Sequence, residues 1–386
     1  MGKGLPKMDT FGSADPYLIF LREIKLKQGG HKWVPIHRTE KALNTRNPIW
    51  KSITLGVDEL CGNNYGNRIR VDCFDWDRGS KDDFIGSFDT DLSAIIGDIT
   101  SQMLDKRSKN RGTVTISSGK IERKFSFYDY VRGLTRLKFS LAIDFTESNG
   151  KQDNPSSRHF IDESGKIANI YQKIMTLIKD TIAIFDPTNS VRAFGFGAKL
   201  KPTETMTPIF NFHQKGELYN GINNVLDAYL NWSQTVTLAG PTNHAPVINK
   251  ANELADKHKD GSLYIVIIII TDDCPHDIAE TKGAIAKAAT LPVSIIFVGV
   301  GENDFQGMDE VIRPTGTVAR DVVTFVRIED HLDQQKMFIS ESQCRHAIFS
   351  KIPDQLVSWM NLKDIKPQAD SSIASAIQCT EQLSIS

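Results

Sequence analysis

Two apolar runs in the second half of the chain restrict the fold more than any other feature. Leu137–Phe145 is apolar at most positions and carries Asp144 near its end, while Leu263–Ile270 is almost wholly aliphatic and is followed closely by Asp272 and Asp273. Such runs are typical of strands in a parallel sheet, whose residues are covered on both faces. Ligands of an open α/β sheet bind beyond the carboxyl ends of its strands. The acids at these two strand ends are therefore placed to share one ion.

The first of these strand ends carries a regular polar pattern. Asp144, Thr146 and Ser148 alternate, so in an extended chain their side chains point to one side. One carboxylate and two hydroxyls are suitable ligands for a hard cation. The alternative is that Asp144 or Asp272 only caps a helix or closes a turn, and the residues alone leave both interpretations open.

The chain has 386 residues, a length that predicts two to three domains. The pattern of predicted secondary structure changes after the first third. The strands predicted in the first part are Tyr17–Ile24, Lys32–Ile36, Trp50–Leu55, Arg68–Trp76, Phe84–Thr90 and Thr113–Ile116. Short strands at this spacing indicate an all-β sandwich. From Arg136 onward, strands and helices alternate, which predicts an α/β domain with a doubly wound parallel sheet.

The predicted secondary structure and the local composition divide the chain into four segments. The predicted boundaries are 1–118 for the sandwich, 119–135 for a linker, 136–362 for the α/β domain and 363–386 for a disordered tail. The tail is predicted because Ser, Gln and Ala are frequent after Lys363 and no helical apolar face of any length is present.

The acids of the first domain are unevenly placed. Asp9 and Asp15 lie six residues apart, and Asp75, Asp77 and Asp83 follow a later strand at spacings of two and six. Calcium takes six to eight oxygen ligands in a flexible geometry, so two loops at one end of a sandwich can hold it. An ordinary solvated turn is the alternative.

Longer motifs resemble known families. GSADPY and FDWDRGSKDDFIG look like the paired calcium loops of C2 domains, a family in which the five acids named above are the ligands. DFTESNG, AFGFGAK, GPTNHAPVI and PVSIIFVGVGENDF resemble the copine family, in which a von Willebrand factor A domain follows C2 domains. The resemblance implies a C2 sandwich followed by an A domain over nearly the whole chain.

The resemblance also implies a second metal site and a function. Its ligands for magnesium or manganese are Asp144, Thr146, Ser148, Thr242 and Asp272. Copine-like behaviour implies that calcium takes the C2 domain to acidic membranes, while the A-domain metal binds an acidic group of an intracellular client protein.

The sequence departs from the family in three respects. Copines usually carry two C2 domains, and this chain has one. Too few residues precede Asp9 for a full strand, which predicts a sandwich that is incomplete at its N-terminus and binds calcium more weakly at Asp9. Asp273 replaces a family glycine, so we expect strain if the backbone there has positive φ.

A basic stretch between residues 22 and 51 contains eight Lys or Arg. Its residues predicted to bind anionic phospholipid are Lys25, Lys27, Lys32 and Lys41. An ordinary solvated sheet face is the alternative, because neighbouring residues of a strand point to opposite sides.

Other partner classes are disfavoured. The 46 basic and 47 acidic residues nearly cancel, and only Trp33 interleaves with the basic stretch, so nucleic acid is not an expected partner. The longest apolar run is far shorter than the roughly 20 residues that span a bilayer, and no transmembrane segment is predicted. Five scattered cysteines favour reduced thiols. We therefore expect a cytoplasmic protein that is recruited to the plasma membrane or other acidic membranes when calcium rises.

Catalysis is not expected. Gly299 and Gly301 are followed by Asp304 where a dinucleotide fingerprint has glycine, and neither a GxxxxGK[ST] loop nor a GxSxG elbow occurs. The histidines form no ligand pair and are predicted to lie at the surface. The main hypothesis is a calcium-dependent phospholipid-binding adaptor, and the alternatives are a calcium-independent adaptor with a vestigial C2 domain and an enzyme on the doubly wound sheet.

Overall fold

The protein is built from two compact units, which are called here the N-terminal unit (residues 1–123) and the C-terminal unit (residues 124–386). The structure is a computed structural model. It describes residues 1–7, 13–117, 119–162, 164–202, 204–213, 215–312 and 320–368. None of the helices in these ranges is long and apolar enough to cross a bilayer.

The N-terminal unit is a β sandwich of antiparallel strands. Its strands are β1 (Gly2–Lys3), β2 (Pro16–Lys25), β3 (His31–Arg38), β4 (Ile69–Asp75), β5 (Asp83–Thr90), β6 (Ile99–Leu104) and β7 (Asn110–Ile116), and its helices are α1 (Val57–Cys61) and α2 (Leu92–Ile96). The hydrogen-bonded order is β1-β7-β6-β5-β4-β2-β3. Successive side chains of a strand point to opposite faces, and one face of each strand forms the core. In β4, for example, Ile69, Val71 and Cys73 are buried while the residues between them are partly exposed.

One predicted strand of this unit is wrong, and the N-terminus adds a short one. Trp50–Leu55 forms no strand, although Trp50 and Leu55 pack against the core and the Trp50 indole donates a hydrogen bond to the carbonyl of Pro16. The N-terminus does contribute a strand, because β1 pairs with β7 through Gly2 and Val114. This edge strand has only two residues and is not the full strand that the predicted sandwich lacks.

The C-terminal unit is an α/β domain. Its helices are α3 (Phe127–Arg132), α4 (Ile170–Phe185), α5 (Gly221–Thr235), α6 (Ala245–Ala255), α7 (Ile278–Ala288), α8 (Gln306–Ile312), α9 (Glu341–Phe349) and α10 (Ile352–Leu362). Its strands are β8 (Arg136–Asp144), β9 (Ser190–Phe196), β10 (Ala198–Leu200), β11 (Thr205–Thr207), β12 (Phe210–Asn211), β13 (Tyr219–Asn220), β14 (Val236–Leu238), β15 (Leu263–Thr271), β16 (Val293–Gly299) and β17 (Val323–Arg327).

The main sheet of this unit has the order β12-β9-β8-β15-β16-β17, and β9, β8, β15, β16 and β17 are parallel. Strand β15 is buried on both faces, because Val266, Ile268 and Ile270 join one hydrophobic cluster while Ile265 and the other alternate residues join a second. The doubly wound sheet predicted from the aliphatic runs is confirmed.

The structure describes the predicted linker and the start of the predicted tail. The boundary between the two units falls after Arg123, within the segment 119–135, and α3 occupies residues 127–132. The hydroxyl of Tyr130, which is buried, donates a hydrogen bond to the carbonyl of Ile365 at 2.9 Å, so the start of the predicted tail packs on the C-terminal unit. Residues 369–386 of the tail lie outside the described residues.

Candidate metal centres

The first centre lies where β8 and β15 end side by side. Ile143 of β8 pairs with Ile270 of β15, so Asp144 and Thr271 follow at the same level. The buried Asp144 accepts hydrogen bonds at Oδ1 from the Thr146 N–H at 2.8 Å and at Oδ2 from the Thr271 hydroxyl at 2.6 Å. The strand register thus fixes the Asp144 carboxylate at the carboxyl edge of the sheet.

Asp272 brings the rest of the polar pattern to the same place. Its Oδ1 accepts hydrogen bonds from the Ser148 hydroxyl at 2.8 Å and from Asn149 Nδ2 at 3.1 Å. The hydroxyls of Thr146 and Ser148 lie 2.9 Å apart. Four of the five residues predicted for this centre therefore meet.

Thr242, the fifth predicted ligand, is buried on the loop between β14 and α6. Its N–H donates to His276 Nδ1 at 3.1 Å, and its carbonyl accepts from the His276 N–H at 2.8 Å. Among the described residues no hydrogen bond joins the Thr242 side chain to the other four. The loop is nevertheless tied to the site, because the Glu147 N–H donates to the carbonyl of Ala239 at 2.5 Å.

The electrostatics of the centre favour a bound cation. Burial raises the pKa of Asp144, and the nearby charge of Asp272 raises it further. Burial also raises the pKa of Asp272, against the opposing effects of the Ser148 hydrogen bond and the Arg158 charge. Asp272 Oδ2 is buried and makes no hydrogen bond among the described residues, although Arg158 Nη1 lies 3.3 Å away. Two buried carboxylates with hydroxyl neighbours fit a small hard cation such as magnesium.

A layer of polar side chains supports this centre from behind, and the sequence did not reveal it. His159 is buried, with Nε2 2.7 Å from the carbonyl oxygen of Asp144 and Nδ1 2.9 Å from the Tyr229 hydroxyl. A carbonyl only accepts, so Nε2 carries the proton and Nδ1 accepts from Tyr229. Tyr171 stacks on the His159 ring at 4.3 Å and donates to Asn149 Oδ1 at 2.8 Å. His159 lies in an irregular segment that no periodic pattern marks.

The histidine prediction is therefore wrong at two positions. Both His159 and His244 are buried, and His244 Nε2 lies 3.3 Å from the Thr271 hydroxyl that holds Asp144. Burial lowers the pKa of each histidine to about 3. Both side chains are neutral supports of the centre.

The strain expected at Asp273 is also absent. Asp273 is not among the described residues with positive φ. Its Oδ1 accepts the Cys274 N–H at 2.7 Å, and its carbonyl oxygen lies 3.1 Å from the Thr271 hydroxyl oxygen. The carboxylate is held at least in part by its own loop, and the backbone has no need of glycine here.

The second centre involves the loops at one end of the N-terminal sandwich. Pro16 pairs with Asp75, and Asp75 pairs with Asp83, so three neighbouring strands bring their acids to the same end. Asp75 is buried, and its Oδ1 accepts the Asp15 N–H at 2.5 Å, while Asp83 is exposed. Asp77 follows β4 in the second loop.

Asp82, which the spacing does not select, holds this second loop together. It accepts hydrogen bonds from the Tyr17 hydroxyl at 2.6 Å and from the Asp77 N–H at 3.2 Å. Asp9 lies outside the described residues. Within the described ranges, no three His, Cys, Asp or Glu side chains gather closely enough to hold one metal ion. Carboxylate oxygens are the kind of ligand that calcium prefers.

The four lysines predicted to bind lipid do not form one patch. Lys25, Lys27 and Lys32 are exposed around the β2–β3 hairpin, where Lys25 pairs with His31. Lys41 lies beyond the other end of β3, and its Nζ is 2.8 Å from the centre of the Trp76 ring in the second acidic loop. Only Lys41 is close to the acidic loops.

Comparison with known families decides the classification. The sequence model of the copine family matches residues 157–368, over half of the chain, and that of the C2 domain matches residues 1–113. The chain belongs to the copine family. A similar copine is Copine-A of Dictyostelium discoideum, which is 32% identical over 387 aligned residues that cover 95% of this chain. The chain spans 63% of the length of that relative.

Two solved structures resemble parts of this copine. BON1-C2B is 23% identical and covers 30% of this chain and 79% of its own, with a TM-score of 0.24. The SpRpn10 VWA domain is 15% identical and covers 50% of this chain and 87% of its own, with a TM-score of 0.34. Both scores are low, so the classification as a copine depends on the sequence matches. The predicted fold class, a C2 sandwich followed by an A domain, is confirmed.

Proposed function

We propose that this copine is a calcium-dependent adaptor that binds anionic phospholipid through its N-terminal unit and a client protein through the metal centre of its C-terminal unit. Membership of the copine family and the C2 match support a calcium- and phospholipid-binding adaptor. The observation that carries the client-binding half is the meeting of Asp144, Thr146, Ser148 and Asp272 at the carboxyl edge of the sheet.

The residues of the C-terminal centre suit ligand sharing. Asp144 is fixed by the Thr146 N–H and the Thr271 hydroxyl, and Ser148 holds Asp272. Only two carboxylates contribute formal charge, and hydroxyls complete the donor set. When bound, a magnesium or manganese ion supplies a Lewis-acidic position for an acidic side chain of a client. We therefore expect client recognition to require both the ion and an exposed Asp or Glu on the partner.

The residues of the N-terminal unit suit an acidic membrane. The acids of the two loops repel anionic lipid until calcium neutralises them. Lys41 stands beside the second loop, and Arg38 lies 3.6 Å from Asp82 in the same loop. Each basic residue near an acidic surface contributes about 1 kcal/mol. Calcium would thus convert this end of the sandwich into a surface that attracts phospholipid, and move the protein from the cytoplasm to the plasma membrane.

Liposome pelleting tests the membrane half. Vesicles of phosphatidylcholine with phosphatidylserine should pellet the full chain with calcium and not with EDTA. We expect Asp75→Asn combined with Asp77→Asn to abolish the calcium-dependent fraction. The matched control is Asp58→Asn with Glu59→Gln, which removes the same charge from exposed positions on α1. Pelleting that the loop variant leaves unchanged would favour the calcium-independent adaptor.

Affinity capture tests the client half. Proteins retained by the wild-type chain in magnesium should be released by EDTA and should not be retained by Ser148→Ala. The control is Ser156→Ala, because the Ser156 hydroxyl contacts only Asn154 among the described residues. If neither EDTA nor Ser148→Ala reduces the amount of client protein retained, the client does not use the metal centre.

A further inference from the structure

Arg158 is the cationic side chain that reaches the C-terminal metal centre. Its Nη1 lies 3.3 Å from Asp272 Oδ2 and donates to the Ser148 carbonyl at 3.0 Å. That carboxylate oxygen is the one that is buried and makes no hydrogen bond among the described residues. The guanidinium therefore faces the atom that a metal ion would need.

The position of Arg158 is built into the fold. Its own N–H donates to the carbonyl of Asn149 at 2.9 Å, and the hydroxyl of Ser157 donates to the carbonyl of Gly150 at 2.9 Å. These bonds attach the segment to the loop that carries Thr146 and Ser148. Gly301 completes the arrangement, because a Cβ at that residue would overlap the Arg158 guanidinium. The side chain is also only 25% exposed, so the site encloses most of it.

We infer that Arg158 is a tethered cation that competes with the metal ion for Asp272, so that the centre binds its ion weakly until Arg158 moves aside. This inference rests on the metal centre proposed above. Asp144 and Asp272 together contribute two negative charges, and Arg158 already neutralises one of them at close range. An incoming divalent ion must displace this contact or accept a positive neighbour, and both lower its affinity.

Manganese binding to the full chain tests the inference. Free Mn²⁺ is counted by electron paramagnetic resonance in the Asp75→Asn, Asp77→Asn background, which removes two of the acids of the N-terminal loops. We expect Arg158→Gln to bind Mn²⁺ about tenfold more tightly, which corresponds to about 1.4 kcal/mol. The Mn²⁺ affinity of Arg158→Lys should lie between those of the parent and Arg158→Gln, because a lysine keeps the charge but lacks the planar guanidinium. Arg345→Gln, which breaks an ion pair with Glu341 on α9, should change nothing.

The outcomes separate this inference from the proposed metal centre. If the parent binds Mn²⁺ and Arg158→Gln, with an unchanged melting temperature, binds it equally or more weakly, the inference is wrong and the centre stands. If neither binds more Mn²⁺ than a variant that also carries Asp272→Asn, both are wrong. Should Arg158→Gln fail to fold, Arg158→Lys decides, because an affinity no higher than that of the parent overturns the inference.

Discussion

Replacing His159 by Phe tests whether a buried neutral histidine supports Asp144. Phe keeps a ring between Phe145 and Tyr171, whose rings lie 4.8 and 4.3 Å from that of His159. It removes the hydrogen bonds to the Asp144 carbonyl and from the Tyr229 hydroxyl. Unpaired buried groups cost about 1–3 kcal/mol each, and the greater burial of apolar surface by Phe offsets part of that. We expect the substitution to lower the free energy of unfolding of the C-terminal unit by about 1–3 kcal/mol at pH 7.

The pH dependence of this loss is the sharper test. Burial lowers the pKa of His159 to about 3 in the folded protein, whereas an unfolded histidine titrates near pH 6.5. The unfolded state therefore binds more protons below pH 6.5, and the stability that neutral His159 provides declines as the pH falls. Over the 1.5 units from pH 6.5 to 5, at about 1.36 kcal/mol per unit, the decline is about 2 kcal/mol.

The difference between wild type and His159→Phe should thus shrink by about 2 kcal/mol between pH 7 and pH 5. Hydrogen exchange of peptides from β8, measured along a urea series, reads the C-terminal unit separately. His258→Phe is the control, because no hydrogen bond of the His258 ring occurs among the described residues. The change in its difference from wild type between pH 7 and pH 5 gives the background for the His159→Phe comparison. A His159→Phe difference that is the same at pH 5 and pH 7 would refute the neutral support.

Two further predictions concern the polar groups around the centre. Gly197→Ala should destabilise the C-terminal unit by about 1–3 kcal/mol and weaken Mn²⁺ binding, because φ is +74° and a Cβ would overlap the Thr146 side chain. Thermal melting and Mn²⁺ titration measure these two effects. The control is Gly283→Ala, which has open space in α7 and should not destabilise the unit. Tyr171→Phe should weaken Mn²⁺ binding about tenfold, since it removes the hydrogen bond that orients Asn149; an unchanged affinity would exclude this positioning role.

The parts of the fold predicted well from sequence are those with strong local patterns. Strand β15 is an almost wholly aliphatic run and β8 is apolar at most positions. Their ends share a sheet edge, so the amino-acid pattern alone places Asp144 and Asp272 together. The extended chain assumed for Thr146 and Ser148 does not form, because Glu147–Asn149 is a 3-10 helix, and this turn brings the two hydroxyls within 2.9 Å. Strand β6 lacks such a pattern and was not predicted.

The supporting layer could not be predicted because it is purely tertiary. His159 lies in an irregular segment and meets Asp144, Tyr171 and Tyr229 only after α4 and α5 pack on the sheet. Likewise, Arg158 has the sequence context of an ordinary surface residue, and only the folded chain brings Gly301 beneath its guanidinium. Sequence patterns indicate which strand ends carry ligands, but they do not indicate which remote side chains orient or oppose them.

The separation of the lysines on the N-terminal unit restricts its tilt on a bilayer. Strand β2 has ten residues and spans about 33 Å, so the hairpin lysines lie several Debye lengths from the acidic loops. If only the loops touch the lipid, the strands stand along the membrane normal and Lys25, Lys27 and Lys32 contribute almost nothing. If both ends touch, the strands must lie nearly flat. The dependence of vesicle binding on ionic strength therefore reports the orientation of the domain as well as its charge.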